Sequence, residues 1–125
     1  MITGVVNAGR EPIIQIIVRN ASGREQQHEA VVDTGYTGWF TLPPDVVAAL
    51  GLPWRERGGA ILADGNQALF DVYSATVVWD GQPITIPIDE VDSDSLVGMS
   101  LMYGYELLMP ILDGATFTLK RIATS

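Results

Sequence analysis

Cysteine is absent from this chain of 125 residues, and histidine occurs once, at position 28. The first absence excludes disulfides and thiolate chemistry, and it leaves the redox compartment open. The second excludes a His-rich metal site, and any Ser-His-Asp triad would have to use His28. The stretch Gln26-Gln27-His28-Glu29 is polar, which predicts an exposed histidine at a strand end. Basic residues are also few, 7 against 15 acidic, for a formal net charge of -8. They are scattered, and only Lys120 and Arg121 are adjacent. Phosphate backbones and anionic membranes both attract clustered Lys and Arg, so neither nucleic acid nor a membrane is an expected partner. No apolar run reaches the ~18 residues of a membrane-spanning helix. The N-terminus also lacks a basic region followed by an apolar stretch. The chain is therefore expected to be soluble and cytoplasmic.

What is present is enough apolar residue, 47% of the chain, to build a core. No linker, low-complexity tract or composition break interrupts it, so residues 1–125 read as a single domain. The pattern is mostly β. Ile13 to Val18, Ala30 to Val32 and Tyr73 to Val78 are rich in β-branched residues. Asp64-Gly65, Asp80-Gly81 and Asp113-Gly114 lie between apolar runs and suit tight hairpin turns, because Gly accepts positive φ and Asp tolerates it. Two segments read as helical. Pro43 and Pro44 suit a helix start and Gly51 can end it after Leu50, while Gly98 to Tyr103 is a shorter candidate. The expected fold class is all-β, a closed or strongly curled sheet with two short helices.

The chemistry concentrates in Ala30-Val31-Val32-Asp33-Thr34-Gly35-Tyr36-Thr37-Gly38. An apolar strand runs straight into Asp-Thr-Gly. A carboxylate at the end of a buried strand is costly unless it is hydrogen-bonded, paired or neutralised. Thr34 offers a hydroxyl to a local network, and Gly35 lets backbone or substrate approach closely. The tripeptide alone fits an ordinary turn leaving the core equally well. A second segment discriminates. Ser95-Leu96-Val97-Gly98-Met99-Ser100-Leu101-Met102 is again two apolar residues, a Gly and a short apolar helix.

With both segments in order, the chain resembles the retropepsin-like aspartic proteases of clan AA. These carry an apolar-apolar-Asp-Thr-Gly element early and an apolar-apolar-Gly element before a late helix. The spacing between Gly35 and Gly98 suits a minimal protomer. The small single-domain group from bacteria and archaea is closer still. Its Asp-Thr-Gly-Phe-Thr-Gly, apolar run and Leu-Pro correspond to Asp33 through Pro43, and its Ala-Asp-Gly to Ala63-Asp64-Gly65. Its Leu-Leu-Gly-Met-Asp-Leu-Leu corresponds to Leu96 through Met102. Tyr36 replaces the usual Phe and adds a hydroxyl. Ser100 replaces the common Asp, a change that touches the packing of the helix rather than the chemistry.

The resemblance implies a closed acid-protease barrel with a flap hairpin, and an aspartic endopeptidase with Asp33 as its catalytic carboxylate. Thr34, Gly35 and Gly98 would support the catalytic loop. Gly35, Tyr36, Thr37, Leu96 and Val97 would contact substrate from the floor, and the flap at Ile61, Leu62, Ala63, Asp64 and Gly65, with Leu69 beside it, from above. No cofactor or metal is implied. Such proteolysis needs two carboxylates sharing a proton, and this chain has a single Asp-Thr-Gly. The expected partners are a second copy of the chain, as a two-fold homodimer, and a peptide or protein substrate. Met1 to Val6 and Thr116 to Ile122 would form either an intersubunit sheet or a pair within the protomer. Two other readings compete: a protease-like module that binds peptides with little or no hydrolysis, and a structural barrel with coincidental motifs. The acidic run from Asp89 to Asp94 reads as a solvated loop rather than a calcium site, and Trp39, Trp54 and Trp79 read as core or rim packing.

Overall fold

In Pro12–Arg19 the residues Ile14, Ile16 and Val18 are buried while Gln15 and Ile17 face outward, the period-two signature of a strand with one face on a core. The same alternation recurs along most of the chain. The computed structural model describes residues 1–123. Ten strands are formed: β1 (Ile2–Val6), β2 (Pro12–Arg19), β3 (Glu25–Val32), β4 (Phe40–Leu42), β5 (Trp54–Ile61), β6 (Gln67–Trp79), β7 (Gln82–Glu90), β8 (Leu96–Val97), β9 (Tyr105–Leu108) and β10 (Thr116–Arg121). Two short helices accompany them, α1 (Pro44–Leu50) and α2 (Met99–Met102).

The strands form one sheet in the order β5-β6-β7-β4-β8-β3-β2-β1-β10-β9. It closes on itself because β6 also pairs with β2, with Ile17 opposite Val78 and Val18 opposite Val77. The result is a ring of β2, β3, β8, β4, β7 and β6, the closed all-β architecture the sequence predicts. Phe40, Leu42, Val77, Ile88, Val97 and Phe117 fill its interior. Outside the ring, β5 hangs from β6 as a long hairpin, and β1, β10 and β9 extend from β2.

The Asp-Gly turns sort by what surrounds them. Asp80 and Gly81 have φ of 51° and 79°, the two-residue mirror-image turn that matches strand twist, and join β6 to β7. Asp64 and Gly65 sit in the tip between β5 and β6. Asp113 and Gly114 are not a tight turn. They end a longer connection from β9 to β10, where the Gly114 amide donates to Val6 O at 2.8 Å. Helix α1 starts at Pro44 and stops at Gly51, whose φ of 61° places it in the left-handed region. Seven residues are too few to stand alone as a helix, so burial of Val47 and Leu50 holds it in place.

The terminal strands resolve an open question. β1 and β10 pair antiparallel within the chain, Ile2 opposite Leu119 through Val5 opposite Thr116. His28 corrects an expectation. It lies inside β3 opposite Ile16, half-buried, with Nε2 enclosed and without a partner. Burial lowers its pKa from the ordinary value, against an opposing pull from Asp45. The polar stretch misled because β3 is amphipathic and its polar half still packs on a neighbour. Trp79 is buried edge-on against Tyr105, while Trp39 and Trp54 lie at the surface. Among the described residues no helix is long and apolar enough to cross a membrane, and no group of three or more His, Asp or Glu is arranged to hold a metal.

Candidate active site

Strand β3 carries the buried Val32 to its end and delivers Asp33 beside β8. The two strands run parallel, Val31 opposite Leu96 and Val32 opposite Val97. The ladder continues one step further, with the Asp33 amide donating to Val97 O at 2.9 Å. Backbone bonds thus set where the carboxylate leaves the sheet. A local bond sets where it points: the Gly35 amide donates to Asp33 Oδ1 at 2.8 Å. Asp33 is half-buried, and Thr34 and Gly35 are exposed beside it.

The loop after Asp33 is held by α2. Four successive carbonyls are taken. Met99 N donates to Tyr36 O at 2.8 Å, Ser100 N to Gly38 O at 3.0 Å and Gly98 N to Trp39 O at 3.0 Å. The Ser100 hydroxyl donates to Thr37 O at 2.6 Å. Ser100, a departure from the pattern in sequence, is therefore a clamp on the loop. The approach is close enough to require glycine at 98, because a Cβ there would fall on the Gly38 carbonyl and the Tyr36 ring.

Tyr36 packs its ring over Gly38 and donates its hydroxyl to Asp89 Oδ2 at 2.6 Å. Asp89 corrects the expected solvated loop. It belongs to β7, opposite Thr41 of β4, and is half-buried. Burial raises its carboxyl pKa, the Tyr36 hydrogen bond opposes this, and Glu56 adds to the rise. Burial and then the Asp89 carboxylate push the Tyr36 phenol upward as well, so it stays protonated. Nothing local in sequence marks Asp89, because its partner arrives through the β4–β7 pairing. Thr41 was equally hidden: it is buried in an apolar strand and its Oγ1 accepts from Leu96 N at 2.8 Å. A Thr inside Phe40-Thr41-Leu42 was the available signal.

A groove of about 830 Å³ opens between this loop and the β5–β6 hairpin. Gly35, Tyr36 and Thr37 line one wall, Ile61 and Leu69 come from the hairpin, and Leu96 and Asp89 close the side. Asp33 lies next to this groove rather than in its wall. Leu62, Ala63, Asp64 and Gly65 form the exposed hairpin tip, outside the groove lining. There Asp64 Oδ1 accepts from Asn66 N at 2.9 Å, and Gly65 takes φ of 86°. Val97 corrects another expectation: it is fully buried between Val32 and Phe40 and supports the floor from beneath. Adjacent strand residues face opposite ways, so Leu96 can line the groove while Val97 cannot. On the other side of Asp33, Thr34 borders a smaller apolar hollow of about 300 Å³ with Met99, Met102 and Tyr103.

No protein-family model matches the chain, and no curated protein matches it in sequence. Solved structures do match. A retropepsin-like aspartic protease from Rickettsia conorii superposes with a TM-score of 0.61, over 98% of this chain and 91% of that one, at 20% identity. The chain thus has a retropepsin-like fold.

Proposed function

We propose that the chain is an aspartic endopeptidase, active as a two-fold pair in which two copies of Asp33 meet. The observation that carries this is the exit of Asp33: a carboxylate aimed by the Gly35 amide, on a backbone pinned to Val97, beside a groove of peptide dimensions. One chain supplies a single such group. Two carboxylates in proximity cannot both ionise, so a pair retains one proton and titrates as a unit. The ionised member takes a proton from water, whose oxygen attacks the scissile carbonyl carbon. The protonated member donates to the carbonyl oxygen. Collapse of the tetrahedral intermediate returns a proton to the departing amine and breaks the C–N bond. Gly35, Tyr36 and Thr37 form the floor under an extended peptide, and the β5–β6 hairpin is the flap that excludes water. The exposed Thr34 and the apolar surface at Met99 and Tyr103, the latter 89% exposed, favour a second copy on that side.

The test is hydrolysis of a mixed peptide set from pH 4 to pH 7, over a range of chain concentrations. Cleavage is expected, with a rate that rises more steeply than concentration below the dimerisation midpoint. Asp33→Ala should lower it by about 10² to 10⁴-fold. No cleavage by a confirmed dimer, or equal cleavage by the variant, refutes the reading. Tight peptide binding without turnover would favour a binding module instead.

A further inference from the structure

We propose that Tyr36 and Asp89 form a subsite that selects a lysine or arginine side chain of the bound peptide. This rests on reading the groove as a peptide site, and it adds the class of side chain that one position takes.

The geometry of Asp89 is the starting point. Its Oδ2 is occupied by the Tyr36 hydroxyl at 2.6 Å. Its Oδ1 has no protein donor among the described residues, and it is not one of the enclosed atoms lacking a partner, so it remains open to water. Both residues line the groove, as does Leu96. A carboxylate with one open oxygen thus shares the groove lining with an aromatic ring and an aliphatic side chain. Lysine and arginine have that combination in reverse, a methylene stem ending in a cation.

The charge on Asp89 is uncompensated. The ion pairs among the described residues are Met1 with Asp80, Arg19 with Glu25 and Arg57 with Asp71, and none reaches it. The titratable groups that act on it are Tyr36 from the loop and Glu56 from β5, and Glu90 and Asp92 line the same groove. Asp71 is engaged by Arg57, and among the described residues Arg55, in the β5 irregularity, has no ion pair. A half-buried carboxylate with one neutral donor and acidic neighbours is destabilised by its own burial. A peptide filling the groove would strip further water from Oδ1. A neutral side chain there leaves the charge unpaired and drier, whereas a cation pairs with it. The net charge of -8 draws a cationic peptide toward the same surface.

The test is a cleavage profile on a decapeptide library with all residue types at each position, read by mass spectrometry. At pH 7 lysine and arginine should be enriched about tenfold at one fixed position relative to the cut. Asp89→Asn should bring that enrichment toward one. In the unsubstituted chain, lowering the pH through the raised Asp89 pKa should do the same, which covers the case of a variant that does not fold. Enrichment that persists in Asp89→Asn, or apolar preference at every position, overturns the proposal. If the chain cleaves nothing, the protease reading fails separately. The same library is then passed over immobilised Asp33→Asn chain. Retention of Lys- and Arg-containing peptides that is lost in Asp33→Asn/Asp89→Asn supports the subsite, and retention without that bias overturns it.

Discussion

Gly98 lies against the carbonyl of Gly38, so close that a Cβ on Gly98 would fall on that oxygen. This contact joins the Asp-Thr-Gly segment to the segment that leads into α2. It also lets α2 reach the carbonyls from Tyr36 to Trp39.

Gly98→Ala should therefore displace the loop that carries Asp33. The added methyl meets backbone on one side and the Tyr36 ring on the other, and backbone yields poorly. A loss of about 1–3 kcal/mol in folding stability is expected. A urea unfolding midpoint equal to that of the unsubstituted chain would contradict it.

Ser100→Ala separates the clamp from the packing. The substitution removes the hydroxyl bond to Thr37 O and leaves the amide bond to Gly38 O in place. The cost should be about 1 kcal/mol, the usual net value of one such bond. Faster amide hydrogen exchange confined to residues 34–38 is the accompanying signature.

Tyr36→Phe tests the hydroxyl that the chain adds to the usual pattern. The ring remains over Gly38, and Asp89 Oδ2 loses its donor. The Tyr36 bond holds the Asp89 pKa down against burial, so its removal should raise that pKa further. Carbon-detected NMR titration of the Asp89 carboxyl reads the change directly. A downward shift would contradict the assignment.

His28 gives the pH dependence of stability a definite sign. Its folded-state pKa is below the ordinary value of about 6.5, because burial disfavours the imidazolium. The unfolded chain thus binds the proton more readily. The contribution of neutral His28 is complete above the unfolded pKa and is lost as pH falls through the folded one. Denaturant midpoints should decline between pH 7 and pH 5, and His28→Gln should flatten that decline. A steeper decline in the variant would refute it.

The sequence by itself determined what depends on near neighbours. Asp33 after the apolar end of β3, the turn at Asp80 and Gly81, the stop of α1 at Gly51 and the Asx-type tip at Asp64 all follow from chemistry within a few residues. The all-β class was legible for the same reason, since strand alternation is local. Tertiary structure decided whatever depends on register across distant strands. The β4–β7 pairing put Asp89 under the Tyr36 hydroxyl instead of in a loop. The β3–β8 pairing turned Val97 into the core while leaving Leu96 toward the groove. The pairing of β1 with β10 joined the two terminal strands of the chain to each other, a choice to which either segment alone was indifferent. The physical reason is common to all three. A strand presents opposite faces at successive residues, so a shift of one position in a long-range pairing decides between core and cleft.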